Sequence, residues 1–210
     1  MQKMSHVKQS IITAICIALC VVLPAFFHAF PQGGPIYLPM HIPVLLCGLI
    51  CMWPYGLLCG ILGPLLSSLI TGMPTLPGIP GSIIEMSIYG VVASLMMMAV
   101  HTKNTYADLY ISLITAMMAG RVAAGIVNAL IFARGTFSFA TWGITYFATG
   151  VPGIIIQLII IPSIVYALMK ARLIPMRYKP KKSAPELQEQ EEDTTGTGAG
   201  KPAKNTKKFI

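Results

Sequence analysis

Charge is what this sequence has least of. Only 10% of its 210 residues are charged, against about 25% in an ordinary soluble domain. A soluble fold of this length needs a solvated surface, and these charges are too few to make one. The sequence has no CxxC pair. Cys16/Cys20 and Cys47/Cys51 are spaced i, i+4 and Cys59 stands apart, which excludes a zinc knuckle or a thioredoxin-like pair. In apolar helices such cysteines act as small hydrophobes. There is no HExxH, no GxSxG, and no Gly-rich loop followed by Lys and Ser/Thr. These absences leave no recognisable catalytic set and no Walker A loop. An enzyme is not expected, nor a bound cofactor. If ATP powers any work here, another subunit must bind it.

What is present is apolar: 55% of residues are hydrophobic, with a mean hydropathy of +0.71. The formal net charge of +8 suggests nucleic acid until it is located. Residues 179–210 hold seven Lys and five acids. Residues 1–178 hold eight Lys or Arg against Glu85 and Asp108 alone. Lys3, Lys8, Lys103, Asp108, Lys170, Arg172 and Arg177 sit at or near the ends of apolar runs. Only Glu85, Arg121 and Arg134 are left elsewhere. A soluble basic domain and a nucleic-acid partner are excluded, and an integral membrane protein is expected.

Six apolar runs follow one another: Gln9–Phe30, Pro39–Trp53, Tyr55–Thr71, Ile79–Val100, Ala107–Phe132 and Gly143–Met169. Backbone groups in hydrocarbon must pair internally, so the runs are read as helices. The first is too long for a signal-peptide core of about 7–15 residues and is read as a retained helix. The second falls short of the roughly 20 residues that span a bilayer straight through. It is either a steeply placed short helix or one that enters from a loop inside the protein; the count is six spans, the alternative being five with this segment re-entrant. Pro152 and Pro162 are expected to kink the last run. The fold class is therefore an all-α six-helix membrane bundle with a short second helix and outer loops covering a ligand site. Its parts are a cytoplasmic N-terminus at 1–8, a transmembrane domain at 9–172 and a low-complexity, disordered tail at 173–210.

With six spans, Lys3, Lys8, Lys103, Lys170, Arg172 and Arg177 share one side, and only Arg134 lies on the other. The positive-inside rule makes this a multi-pass cell-membrane protein with both termini cytoplasmic. The loops 29–38, 72–80 and 133–142, rich in Pro, Gly and aromatics, then face outward. Lys179, Lys181 and Lys182 can touch anionic membrane lipid.

Ionisable residues inside spans are costly and are candidates for function. Glu85 lies about two turns into the fourth run and Arg121 near the middle of the fifth. Either the two pair and hold helices together, or they line a polar cavity. Tyr89 is i+4 from Glu85. Gly125 and Asn128 share a face with Arg121, and Tyr146 and Gln157 on the last run can join them. His28 and His41 flank the first outer loop. Two histidines fall short of the three or four ligands a metal needs, so no metal site is expected. Small residues recur every four positions at Ser10, Ala14 and Ala18, and at Gly56 and Gly60 with Gly63 and Ser67 continuing. Such faces let helices approach closely.

Ala14-x-x-x-Ala18, the Pro/Gly-rich first loop, Leu38-Pro-Met-His-Ile-Pro-Val-Leu-Leu-Cys-Gly48, Tyr55-Gly-Leu-Leu-Cys-Gly60 and Ser67-Ser-Leu-Ile-Thr-Gly-Met-Pro74 together carry a likeness. Over about residues 8–172 the chain resembles a substrate-binding S component of an energy-coupling factor (ECF) vitamin transporter. The resemblance implies capture of a water-soluble vitamin or precursor outside the cell. It implies association with a T component and two cytoplasmic ABC ATPases, and delivery by toppling in the membrane. It assigns Ser10, Ala14 and Ala18 to the T-component face. It points by position to Tyr37, His41, Glu85, Tyr89, Arg121, Asn128 and Trp142 as substrate-binding residues. Met40-His41-Ile42-Pro43 is similar to the metal-binding N-terminus of related cobalt and nickel transporters, but here it is internal and lacks the free amine. The alternative to this family is a stand-alone secondary transporter or channel that uses Glu85 and Arg121 as an intramembrane ion site.

Overall fold

The chain begins with α1, His6–Phe27, which buries a single stripe of Gln9, Thr13, Cys16, Cys20 and Pro24. The spacing of three or four residues puts them on one helical face. The computed structural model describes residues 4–27, 33–127, 129, 139–144, 148–175 and 178. These residues lie within one compact unit, Met1–Tyr178. Of the tail expected at 173–210, residues 173–175 and 178 are described and pack on this unit, with Ile174 6% exposed and Tyr178 bonded to Asp108; the rest lies outside the described residues.

A short α2, Gly33–Tyr37, is followed by α3, His41–Ile50, then α4, Trp53–Thr71. A 3-10 turn at Leu76–Gly78 leads into α5, Ile79–Ala99, and α6 covers Thr105–Val127. A short α7, Phe139–Gly143, and α8, Val151–Lys170, complete the order. Among the described residues all regular structure is helical. Among the described residues five helices are long and apolar enough to cross a membrane: α1, α4, α5 with its preceding turn, α6 and α8. Large apolar side chains face outward along them, such as Ile11, Ile15 and Phe26 on α1, Leu69 and Ile70 on α4, and Ile155 and Ile159 on α8. Outward apolar surface of this extent suits lipid rather than water.

The short second run is α3, and its position explains its length. At its start Cys20 Sγ donates to the carbonyl of Met40 at 3.9 Å. Near its middle Thr13 Oγ1 meets Cys47 Sγ at 3.6 Å. Just beyond its end the N–H of Met52 donates to Gln9 Oε1 at 2.9 Å. The helix thus descends antiparallel to α1 from the level of Cys20 to that of Gln9, about 16 Å at 1.5 Å per residue. It starts about 10 Å below the α1 end at Phe27 by the same rise. It starts within the bundle and ends at the level of the start of α1 rather than turning back. Buried on nearly every side, α3 exposes only Ile42 in part.

Close backbone contact makes this possible. Gly48 of α3, Gly56 of α4 and Gly90 of α5 meet at one crossing. A Cβ on Gly48 would lie 2.6 Å from the Gly90 carbonyl oxygen, and one on Gly56 would lie 2.5 Å from it. Gly60 likewise faces Met86 and Ser87 backbone at 2.6 Å, and Gly63 faces Cys20 at 2.9 Å. The small-residue stripe of α4 is consumed inside the bundle. The five cysteines are all buried and free.

Pro152 does not kink the last span. It sits in the first turn of α8, where its missing N–H costs no helical bond, so the helix starts at Val151 rather than at Gly143. Pro162 does lie inside the helix. At the foot of the bundle, His6 Nδ1 meets the Tyr55 hydroxyl at 3.0 Å. Asp108, fully buried, accepts from the N–H and hydroxyl of Thr102 at 2.8 and 2.7 Å and from the Tyr178 hydroxyl at 2.7 Å. His6 and Tyr178 therefore belong to the same end of the bundle, opposite α2.

Candidate functional site

The half-length α3 leaves its first residue, His41, in the interior rather than at a membrane surface. Glu85 reaches it from α5. His41 Nε2 stands 3.6 Å from Glu85 Oε1, and the Tyr89 hydroxyl donates to that same oxygen at 2.8 Å. The i, i+4 spacing of Glu85 and Tyr89 on α5 sets up this bond locally. The His41 and Tyr89 rings pack at 5.2 Å. His41 is 8% exposed, Glu85 9% and Tyr89 fully buried.

Gln157, fully buried on α8, joins from the other side. Its Nε2 donates to the Leu38 carbonyl at 3.4 Å, and the same carbonyl accepts the His41 N–H at 3.1 Å. The network runs from Gln157 through Leu38 and His41 to Glu85 and Tyr89, drawing on α3, α5, α8 and the turn after α2. It is incomplete. His41 Nδ1 and Gln157 Oε1 are buried with no hydrogen-bond partner among the described residues. Each such atom costs about 1–3 kcal/mol, and a helical bundle in hydrocarbon has little reason to retain it without a use.

Two glycines on α6 shape the far wall. A Cβ on Gly120 would overlap the Tyr89 ring, and one on Gly125 would overlap the Trp142 indole. Between them lies Arg121, 2% exposed. No ion pair joins Glu85 to Arg121 among the described residues; the carboxylate faces His41 instead. Above the layer, α2 lies against α8, where a Cβ on Gly153 would come within 2.8 Å of Ile36 and Tyr37 backbone. The Tyr37 ring packs on Phe27 at 5.3 Å.

Of the seven residues expected at a ligand site, His41, Glu85 and Tyr89 are in mutual contact. Arg121 follows Gly120, the position that faces the Tyr89 ring, and Trp142 lies against Gly125 of the same helix. Tyr37 caps from α2. Asn128 lies outside the described residues, as do His28 and Tyr146. Gln157, absent from the main set, is linked to it through Leu38. No group of three or more His, Cys, Asp or Glu placed to hold a metal occurs among the described residues. On the outer surface, Ser10, Ala14 and Ala18 of α1 are all exposed, so this small-residue face, unlike that of α4, is left uncovered.

Residues 8–166 match the family model described as the substrate-specific component of ECF transporters. The chain belongs to this family. As a substrate-specific component it is a transporter subunit of a membrane protein with several apolar helices. The fold agrees with a solved structure described as the crystal structure of an S-component of an ECF transporter. The two are 17% identical, with a TM-score of 0.52 over 94% of this chain and 100% of the other. No curated protein matches the chain in sequence. The likeness in fold leaves the ligand open, and the polar layer beneath α2 is the part of this substrate-specific component with unmatched chemistry.

Proposed function

We propose that this chain is the high-affinity substrate-binding subunit of an ECF importer. It captures a water-soluble vitamin or precursor in the layer formed by His41, Glu85, Tyr89, Arg121 and Gln157, beneath α2. Tyr37, Asn128 and Trp142 complete the set. The α2 end faces the outside and both termini face the cytoplasm, as the Lys and Arg distribution favours. The observation that carries the reading is the buried His41–Glu85–Tyr89 cluster at the start of a helix that stops short of the α2 end. Buried ionisable groups at this depth are expensive unless they serve a ligand or path.

Delivery requires partners. The chain has no phosphate-binding loop, so a T component and two cytoplasmic ABC ATPases supply the power. The uncovered Ser10, Ala14 and Ala18 face of α1 is where the T component docks, since small residues admit close approach of a second helix. Toppling against that partner carries the ligand layer towards the cytoplasm. A single experiment separates the two surfaces. Ala14→Trp and Ala18→Trp should abolish uptake in cells that carry the T component and ATPases. Ligand binding by the purified variants should equal that of the native chain. Uptake that survives both substitutions places the docking face elsewhere.

A further inference from the structure

The foot of the bundle carries charge that nothing around it balances. Tyr106 in the first turn of α6 and Tyr166 near the end of α8 stack with ring centroids 4.7 Å apart, which sets the start of α6 against the end of α8. The Tyr178 hydroxyl bonds to Asp108, so the chain after α8 returns to the first turn of α6. Three cations lie on this rim. Lys103 is three residues before Tyr106, Lys170 is one turn beyond Tyr166 on the same face of α8, and Arg172 closes that helix. All three are exposed. The one ion pair among the described residues joins His41 and Glu85, so none of the three has a carboxylate partner there. Residues 1–178 hold no acid besides Glu85 and Asp108. Glu85 belongs to the polar layer, and Asp108 is fully buried and occupied by Thr102 and Tyr178.

Two of these cations stand where the backbone favours glycine. Lys103 and Arg172 have φ of 65° and 58°, a left-handed conformation that glycine adopts without strain. Arg172 follows α8 with its N–H on the Met169 carbonyl at 3.1 Å, and the Leu173 N–H reaches Leu168 at 3.1 Å, a cap that commonly ends in glycine. Strain of this kind gathers where a side chain is used. Beside the rim, Tyr106, Tyr110, Ile114 and Met118 step along α6 every four residues, and all are exposed. An apolar track thus leads from the cations into the depth of the membrane. Cations at one end of such a track match a molecule with a phosphate at one end and hydrocarbon at the other. We infer that the α6–α8 foot holds one anionic glycerophospholipid. Its phosphate sits on Lys103, Lys170 and Arg172, its glycerol against the Tyr106–Tyr166 stack, and an acyl chain along the α6 track. A zwitterionic lipid brings its own cation and so gains less from the rim. The site is separate from the ligand layer and from the small-residue face of α1.

Native mass spectrometry reads the preference directly, on the purified full chain exchanged into detergent with equal amounts of phosphatidylglycerol and phosphatidylcholine. One phosphatidylglycerol should be retained in preference, about tenfold or more. Each cation near an anionic headgroup is worth about fivefold in binding, so Lys170→Gln with Arg172→Gln should lower the preference about tenfold or more. Lys3→Gln with Lys8→Gln removes the same charge from the start of α1, at the same end of the bundle, and should leave the preference unchanged. Arg172→Gly relieves the left-handed backbone. It should unfold in detergent at an equal or higher temperature, yet lose about fivefold in preference, which separates binding from folding. Equal losses from the two double variants would reduce the effect to general charge attraction and overturn the site. Equal retention of the two lipids by the native chain would overturn it as well. Displacement of the lipid by excess glycerol phosphate would assign the cations to a soluble anion and overturn the lipid.

Discussion

Gly120→Ala adds one methyl group to the bundle and should damage it more than most core substitutions. The new Cβ would overlap Cε1 and Cδ1 of Tyr89. That ring is fully buried, has the His41 ring on one side at 5.2 Å, and is tied through its hydroxyl to Glu85. It has no free direction in which to move. Overpacking of this kind costs about 1–3 kcal/mol. If the ring swings away, the hydrogen bond to the carboxylate is lost as well, about 1.5–3 kcal/mol. Alanine returns up to about 1 kcal/mol in helix propensity, which is too little to reverse the sign. With that bond lost the net is about 1.5–5 kcal/mol, and ligand affinity should fall with it because Glu85 loses its fixed partner. Reversible unfolding in detergent measures the stability, and a double-mutant cycle isolates the cause. In a Tyr89→Ala background the overlap is gone, so Gly120→Ala should become neutral or mildly stabilising. An equal loss in both backgrounds would refute the contact between α6 and Tyr89 and the reasoning built on it.

Three further outcomes follow from the packing. Gly90→Ala places its Cβ onto the Gly56 carbonyl, where neither backbone can yield, and should cost about 1–3 kcal/mol in the same unfolding assay. Tyr178→Phe removes one bond to buried Asp108 and should cost about 1.5–3 kcal/mol without changing ligand affinity, since the contact lies at the opposite end from α2. The five cysteines are at most 5% exposed, so a fluorogenic maleimide should react slowly below the unfolding transition and with all five above it; rapid labelling of the folded chain would contradict their burial.

Much of this molecule is readable from local pattern. Long apolar runs become helices because hydrocarbon leaves the backbone no other way to pair. The Glu85–Tyr89 bond follows from i, i+4 spacing on α5. What spacing cannot report is which faces meet. His41 and Glu85 belong to different runs, and nothing in the order of residues selects His41 over Arg121 as the carboxylate's neighbour. Gln157 meets Leu38 across 119 positions. The stripes on α1 and α4 look alike as strings of small residues, yet Gly56 and Gly60 are consumed against α5 while Ala14 and Ala18 stay uncovered. That difference is tertiary: the α4 glycines meet the backbone of α5 directly at Gly90, Met86 and Ser87, while Ala14 and Ala18 stay exposed on α1. The expected kink at Pro152 fails for a related reason, since a proline can also begin a helix, and here it sits in the first turn of α8. The turn that precedes it decides.

The central claim is that the Glu85 carboxylate, held by His41 and Tyr89, touches the transported molecule. The most direct measurement is calorimetric titration of the ligand recovered from the native chain into Glu85→Gln, with native unfolding temperature as a control for folding. The account predicts at least a tenfold rise in Kd, about 1.4 kcal/mol or more, from a variant that remains folded. A folded Glu85→Gln that binds the recovered ligand as tightly as the native chain would contradict it.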